Sequence, residues 1–225
     1  MRAVVYTSVF VLLHLTYASA RINIPFRCHA LDSECTKALV QNLVVPLSET
    51  LDPMYIDPLR INEGGFNGDY SNVTVTGGRN AIIDSVGFDL GKREIMMQYH
   101  TDLKLKGRYK SSPIDAGTDV SMFIRNLYVT LTMPYEIIQT ANNNRFLNLK
   151  AFKYDYEIRD NIQSHIRDLY YQASNGEGFA DTNLQNLRLI PIQLGRNMMD
   201  KIMVNVFETL RAYLLSEQLL NFFIY

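Results

Sequence analysis

The chain has 225 residues, with 22 Lys and Arg side chains against 23 Asp and Glu side chains, so its formal net charge is −1. This near-neutral mixture of signs gives no support for a nucleic-acid-binding domain or for polybasic docking on a membrane. A chain of this length can bury a sizeable core in one domain.

The first residues have the features of a secretory signal peptide. Met1-Arg2 is a short basic start, residues 4–15 are mostly apolar, and Ala18-Ser19-Ala20 supplies a cleavage site of small residues. We expect residues 1–20 to be removed and residues 21–225 to form a single, secreted, extracellular domain. No later stretch is apolar for long enough to cross a bilayer.

The next feature is a pair of cysteines, Cys28 and Cys35, and the chain has no others. In an oxidising compartment they are predicted to form one short disulfide that pins the N-terminal arm to the first helix. A lone pair without a histidine cluster is a poor zinc site. The sequence therefore predicts no metal and no cofactor.

A first helix is predicted from Ser33 to Leu51, with Asp32 or Ser33 as its N-cap. Pro46 predicts a kink in this helix. Two Asp-Pro steps follow, and they predict a stiff, extended strap over residues 52–61. The apolar face of the helix has helical spacing and consists of Leu39, Val40, Leu43, Val44, Leu47 and Leu51.

The period then changes from helical to alternating, which predicts strands over 73–75, 82–90 and 94–106. The third is the clearest, since its odd positions are mostly apolar and its even positions mostly polar. Gly107 and the Ser-Ser-Pro cluster at 111–113 are predicted to end it. In residues 122–135 and 147–158 the apolar set changes parity midway, which predicts a bulge in each strand and a strongly curved sheet. The Asn triplet at 142–144 predicts the turn between them.

Helical spacing returns after the glycine-rich loop at 174–178. Asp181 is a candidate cap, and Pro191 is predicted to interrupt the helix early. The predicted fold is α+β: a short N-terminal helix, a strongly curved antiparallel sheet, and a long C-terminal helix that lies inside or across the sheet and leaves an elongated apolar interior. The apolar stripe of the last helix consists of Met199, Ile202, Met203, Val206, Leu210, Tyr213 and Leu214.

The order of several short motifs resembles the insect haemolymph juvenile-hormone-binding and takeout family. The motifs are Cys28-x6-Cys35, "VVPL" at 44–47, "DPLRI" at 57–61, "NVTVTG" at 72–77, "LKLKGRYK" at 103–110, "RNLYVTLTM" at 125–133 and "NGEGFADTN" at 175–183. The resemblance implies a tubular lipid-binding fold, in which a long C-terminal helix is wrapped by a strongly curved antiparallel sheet that encloses an apolar tunnel. It also implies a non-catalytic carrier, in haemolymph or another extracellular fluid. Its ligand would be juvenile hormone, a similar terpenoid, a fatty acid or another lipid.

Two departures from the family pattern bear on the ligand. Dedicated moth hormone carriers have a second disulfide that ties the C-terminal region, and this chain has no cysteines for it. Residues 184–195, "LQNLRLIPIQLG", also lack the family's common Asn-Trp pairing. The missing disulfide favours the takeout-like branch, in which ligands are diverse. No hormone-specific contact is carried over.

Ten residues are predicted to contact the ligand. Tyr128 and Tyr154 are predicted to give the single polar contact of a mostly apolar ligand. Asn72, in Asn72-Val73-Thr74, is a predicted glycosylation site. The ligand-binding prediction comprises Phe88, Met97, Phe123, Tyr128, Leu131, Met133, Phe152, Tyr154, Val206 and Leu210.

Two other classes of protein are weighed against a carrier. For an enzyme, the sequence offers no nucleophile elbow, zinc-protease motif or nucleotide-binding loop, and His29, His100 and His165 are isolated. Asp155 and Glu157 alternate with basic residues, which is typical of a charged outer face. The other alternative is a secreted structural or protein-interaction module whose interior is filled by side chains. In a carrier, residues 33–51 and 219–225 are predicted to open for the ligand.

Overall fold

The computed structural model describes residues 23–56, 58–63, 66–112, 118–160, 162–164 and 181–224. The predicted signal peptide, the glycine-rich loop at 174–178 and His165 lie outside these residues. The fold is α+β, with a strongly curved antiparallel sheet in the form of a half-barrel and a long C-terminal helix, which confirms the predicted class.

The N-terminal arm begins with strand β1 (Cys28–His29) and leads into helix α1 (Ser33–Ser48). Asp32 is the N-cap, because its Oδ1 accepts a hydrogen bond of 3.0 Å from the backbone N–H of Cys35. The predicted disulfide between Cys28 and Cys35 is present, so the arm is covalently tied to the first turn of the helix.

Helix α1 ends at Ser48, three residues before the predicted end at Leu51. Pro46 lies in the last turn and has no N–H to donate. The Thr50 hydroxyl then donates to the carbonyl of Leu47 at 2.9 Å, and the Leu51 N–H turns to Ser48. Residues 49–51 therefore form a turn, because a side chain competes for the acceptor that another helical turn would use.

The predicted strap contains two short strands, β2 (Met54–Ile56) and β3 (Leu59–Glu63), and both pair with strand β4 (Phe66–Thr76). Asp52, at the start of the strap, binds backbone groups that lie outside the predicted local turn. Its Oδ2 accepts hydrogen bonds from the backbone N–H groups of Gly77 (2.9 Å) and Arg79 (3.1 Å).

The centre of the sheet is strand β6 (Glu94–Ser112), which continues through Gly107, so the predicted break there is wrong. A Cβ atom at this position would lie 3.1 Å from the Val73 Cγ2 atom and 3.3 Å from the Ser71 carbonyl oxygen of β4. The glycine thus allows a close approach of two strands where β4 bulges, between Ser71 and Thr74.

Strand β6 pairs with different partners along its length. Strand β5 (Ile82–Asp89) pairs with its first half, β4 pairs with its second half, and β7 (Thr118–Gln139) runs antiparallel to most of it. The bulge predicted in β7 is confirmed at residues 125–126, which lie opposite the single residue Asp102. Asp102 Oδ1 accepts the Asn126 N–H at 2.8 Å and holds the bulge.

The second predicted bulged strand is instead two strands, β8 (Arg145–Leu149) and β9 (Lys153–Ile158). They pair with separate parts of β7, residues 135–139 and 127–132. The parity change in the sequence therefore marks a break of three residues, and a bulge prediction was wrong here. The turn predicted at the Asn triplet is present, with Asn143 at a φ of 64°.

The C-terminal part consists of strand β10 (Ile162–Ser164), helix α2 (Asp181–Ser216), the short helix α3 (Leu219–Phe222) and strand β11 (Phe223–Ile224). The backbone of α2 stays helical through position 191, so the predicted interruption is wrong. The loss of one backbone hydrogen bond does not end a helix of 36 residues. Strand β11 pairs in parallel with β1, beside the disulfide. The N-terminal arm and the C-terminal strand are therefore in contact.

Candidate functional site

An apolar cavity of about 120 Å³ lies between α1, the concave face of the sheet and α2. Space of this size holds several water-sized groups. Its wall on α1 consists of Val40, Val44, Leu47 and Ser48, with Leu51 in the turn that follows. Its wall on α2 consists of Met199, Ile202, Val206, Thr209 and Leu210. The sheet and its connections contribute Met54, Val75, Gly78, Ala81, Ile83, Met97, Tyr99, Thr101, Leu103 and Leu127.

The cavity has no charged lining among the residues that the structure describes. Two of its polar side chains are already satisfied: the Ser48 hydroxyl donates to the Val45 carbonyl at 2.7 Å, and the Thr101 hydroxyl donates to the Gly77 carbonyl at 2.9 Å. A charge brought into such a site would lose its hydration without gaining a partner. The cavity therefore suits an uncharged, mostly apolar molecule.

The hydroxyl of Tyr99, another lining residue, has a weaker hydrogen bond than those of Ser48 and Thr101. Its hydroxyl lies 3.5 Å from Met203 Sδ, and a thioether is a poor acceptor. Burial raises the pKa of Tyr99 well above its usual value, so the hydroxyl stays protonated. It can donate a stronger hydrogen bond to a carbonyl or ether oxygen that enters the cavity.

Helix α1 is fastened over the cavity by the side-chain amide of Gln41. Gln41 Nε2 donates to the Ala81 carbonyl at 3.1 Å, and its Oε1 accepts the Ile83 N–H at 2.8 Å. The amide thus pairs with the edge of β5 as a neighbouring strand would. Both Ala81 and Ile83 line the cavity, so this clamp lies directly beside the space that it closes.

Helix α2 is fastened on the other side by a polar network. Arg211 Nε donates to Asn148 Oδ1 at 3.2 Å, and Asn148 Nδ2 donates to Glu136 Oε1 at 2.8 Å. Lys150 binds the same Glu136 oxygen at 2.8 Å, and these hydrogen bonds lower the pKa of Glu136. Because Asn148 is buried and satisfied on both sides, it fixes the helix to β8.

The structure places three of the ten predicted binding residues at the cavity: Met97, Val206 and Leu210. Leu131 and Met133 are buried in the core of the sheet, outside the lining. Phe88 packs edge to face on Tyr135 and Phe223, with ring centroids 5.9 and 5.1 Å apart. Phe152 packs on Phe207 of α2 at 4.8 Å.

The other three predicted residues have polar or cationic neighbours instead. Phe123 lies beneath the Arg125 guanidinium, and Tyr128 lies 3.6 Å beneath that of Arg159. Both side chains are on the outer face of β7, since the alternate positions 122, 124, 127 and 129 are the buried ones. The Tyr154 hydroxyl donates to Asp200. None of these three lines the cavity.

Several lining residues were missed by sequence reasoning, although a signal for them exists. Tyr99, Thr101 and Leu103 share the buried parity of Met97 on β6, and Val40, Val44 and Leu47 form the apolar stripe of α1. The predicted lining does not include this stripe, because nothing local shows that two helices face the same concave surface.

The described side chains that were weighed as catalytic candidates lie on the outer surface of the protein. His100 Nδ1 lies 2.9 Å from Asp84 Oδ2 on the outer face, and Glu157 forms an ion pair with Arg159 at 2.9 Å. His29 is exposed in β1. In the part of the chain that the structure covers, no group of three or more His, Cys, Asp or Glu side chains is placed to hold a metal ion. No described helix is both long and apolar enough to cross a membrane.

The sequence model of the family described as "Haemolymph juvenile hormone binding protein (JHBP)" matches residues 9–214. The chain belongs to this family. Its members are secreted binding proteins. No curated protein matches the chain in sequence.

Two solved structures are similar to this chain, and Takeout 1 shares its fold. Takeout 1 of Epiphyas postvittana is 17% identical, with a TM-score of 0.74 over 88% of this chain and 99% of that one. A lipopolysaccharide binding protein is 11% identical, with a TM-score of 0.49 over 85% of this chain and 40% of that one. The likeness to Takeout 1 confirms the takeout-like architecture expected from the motifs.

Proposed function

We propose that this member of the haemolymph juvenile hormone binding protein family is a secreted, non-catalytic carrier of a small hydrophobic ligand. The observation that carries the proposal is the uncharged cavity between α1, the sheet and α2. Apolar walls with few polar groups are typical of sites for lipids and terpenoids. Juvenile hormone, a similar terpenoid or another neutral lipid fits this lining.

The uncharged lining favours neutral ligands over charged ones. A fatty acid would have to bring its carboxylate into a cavity without a cation among the described lining residues, or leave it at the mouth. A neutral ester, ether or ketone has no such cost and offers an oxygen to Tyr99. We therefore place the polar contact at Tyr99, in place of Tyr128 and Tyr154.

The experiment is competition with a fluorescent apolar probe. The purified protein is titrated with a long-chain methyl ester, the corresponding free acid, and a hydrocarbon of equal length. The proposal expects displacement by all three, with the ester most effective at neutral pH. A protein that binds neither the probe nor any competitor, and yields no lipid on solvent extraction, would instead have a packed interior.

A further inference from the structure

Three cations form a line on the outer face of the sheet, and we call them the basic row: Lys104, Lys106 and Arg108. All three are exposed, and they alternate along β6 with the buried Leu103 and Leu105. Residues two apart on a strand are about 7 Å apart, so the row extends for about 14 Å. The near-neutral charge of the whole chain hides this local concentration.

Strand pairing leaves the basic row largely without compensating charge. Lys104 lies between Thr76 and Phe123, and Lys106 lies between Thr74 and Ser121, all of them uncharged. Among the described residues, no member of the row forms an ion pair. Elsewhere on the surface, Arg60, Lys150 and Arg159 are each paired with a carboxylate at 3.0 Å or less.

The surroundings of the basic row limit the shape of a partner. Arg125 adds a fourth cation beside Lys104, because its guanidinium lies 5.2 Å from the ring centroid of Phe123. A carboxylate lies at each end of the row: Asp102 precedes Lys104 on the same face of β6, and Asp119 lies across from Arg108 in β7. The positive surface therefore follows β6 on the convex face, extends onto β7 at Arg125, and ends at a carboxylate in both directions.

We propose that the basic row binds a linear polyanion, specifically a sulfated polysaccharide. A linear chain of sulfates can lie along the strand and meet each cation, and it releases its condensed counterions as it binds. A flat anionic membrane would touch only the crown of the convex face. Like charges held side by side lower stability slightly, so the row has no evident structural use.

This site is independent of the cavity. Lys104 and Leu103 are neighbours on β6, but the first faces solvent and the second lines the cavity, so they lie on opposite faces of the sheet. A loaded carrier can therefore bind a polysaccharide without losing its ligand. Such binding would hold the carrier at an extracellular matrix.

The test compares two triple variants with the same change in net charge. The first replaces the row (Lys104→Gln, Lys106→Gln, Arg108→Gln), and the control replaces three exposed lysines elsewhere (Lys92→Gln, Lys153→Gln, Lys201→Gln). Heparin is immobilised, and affinity is measured over a range of salt concentrations. N-linked glycan is removed enzymatically beforehand, because the predicted site at Asn72 lies in the β4 bulge beside the row.

We expect the row variant to lose at least about tenfold in affinity for heparin, and its log–log salt dependence to flatten by about two units. The control should stay within about twofold of the wild type, since general charge effects are weaker than direct contacts. Equal losses in both variants would overturn the proposal. So would retention of vesicles of phosphatidylserine and phosphatidylcholine by a protein that ignores heparin, because the partner would then be a membrane. Probe binding in the cavity, measured on the same samples, tests the carrier function separately.

Discussion

Replacing Tyr99 with phenylalanine removes a single oxygen atom from the cavity and leaves the ring in place. The described hydrogen bond of this hydroxyl is long, at 3.5 Å, and its acceptor is the thioether sulfur of Met203. Its loss should lower the free energy of unfolding by less than about 1 kcal/mol. A bound ester would lose a hydrogen bond of about 1 kcal/mol, which corresponds to a rise of about fivefold in Kd.

The assay is displacement of a fluorescent apolar probe by a long-chain methyl ester and by a hydrocarbon of equal length. Tyr99→Phe should weaken the ester about fivefold and leave the hydrocarbon unchanged. Tyr135→Phe is the matched control, because Tyr135 is also a buried sheet tyrosine but lies outside the cavity lining. Equal weakening of both ligands, or none, would refute a hydrogen bond from Tyr99. If Thr209→Val weakens the ester and Tyr99→Phe does not, the polar contact is with Thr209, which also lines the cavity.

The remaining predictions concern the cavity wall on α2, the Gln41 hydrogen bonds that fasten α1, and the stability of the protein at high pH. Val206→Phe should reduce probe binding by at least about tenfold while costing less than about 3 kcal/mol of stability, because the larger side chain enters existing space; unchanged binding would place the ligand elsewhere. Gln41→Leu should speed probe release in stopped flow and hydrogen exchange in α1, since it removes both clamp bonds; unaltered rates would exclude α1 as the moving element. Burial raises the pKa of Tyr213 from 10.0 to about 12 and also raises that of Tyr99, so the folded state holds protons that the unfolded state loses. The free energy of unfolding should therefore fall between about pH 10 and pH 12, with a shallower slope in Tyr99→Phe.

Features with a local cause could be predicted from the sequence. The Asp32 cap and the alternation of β6 depend on residues close together in the chain. The bulge at 125–126 was readable for the same reason, because the buried parity changes where two residues face Asp102. The disulfide followed from two cysteines in a chain that is predicted to be secreted.

Features that depend on distant contacts could not be read in this way. The parity change after Leu149 is the same signal as that in β7, but here the chain leaves one part of β7 and pairs with another. The helix also continues through position 191, which the local proline signal does not predict. The predicted lining mixed both faces of β7: Phe123 and Tyr128 lie on its outer face, one on each side of the bulge.

The C-terminal segment has a local signal, its apolar composition, and also a long-range contact that the sequence does not show. The apolar segment from residue 219 was predicted to be a weakly held lid. The structure instead pairs Phe223 with Cys28 and buries Phe222 and Phe223. Whether this pairing opens for a ligand stays a prediction, and hydrogen exchange over α3 and β11 on saturation with the probe measures it. We expect saturation to slow exchange more there and in α1 than in the centre of β6, which is already protected.

Native mass spectrometry of the purified protein tests the carrier account most directly. The account predicts one population at the mass of the chain and a second that is heavier by one molecule of long-chain methyl ester. The second should grow with ester concentration to full occupancy, and Val206→Phe should suppress it. A wild-type protein that shows only its own mass up to the solubility limit of the ester, while its disulfide and fold are intact, would contradict the account.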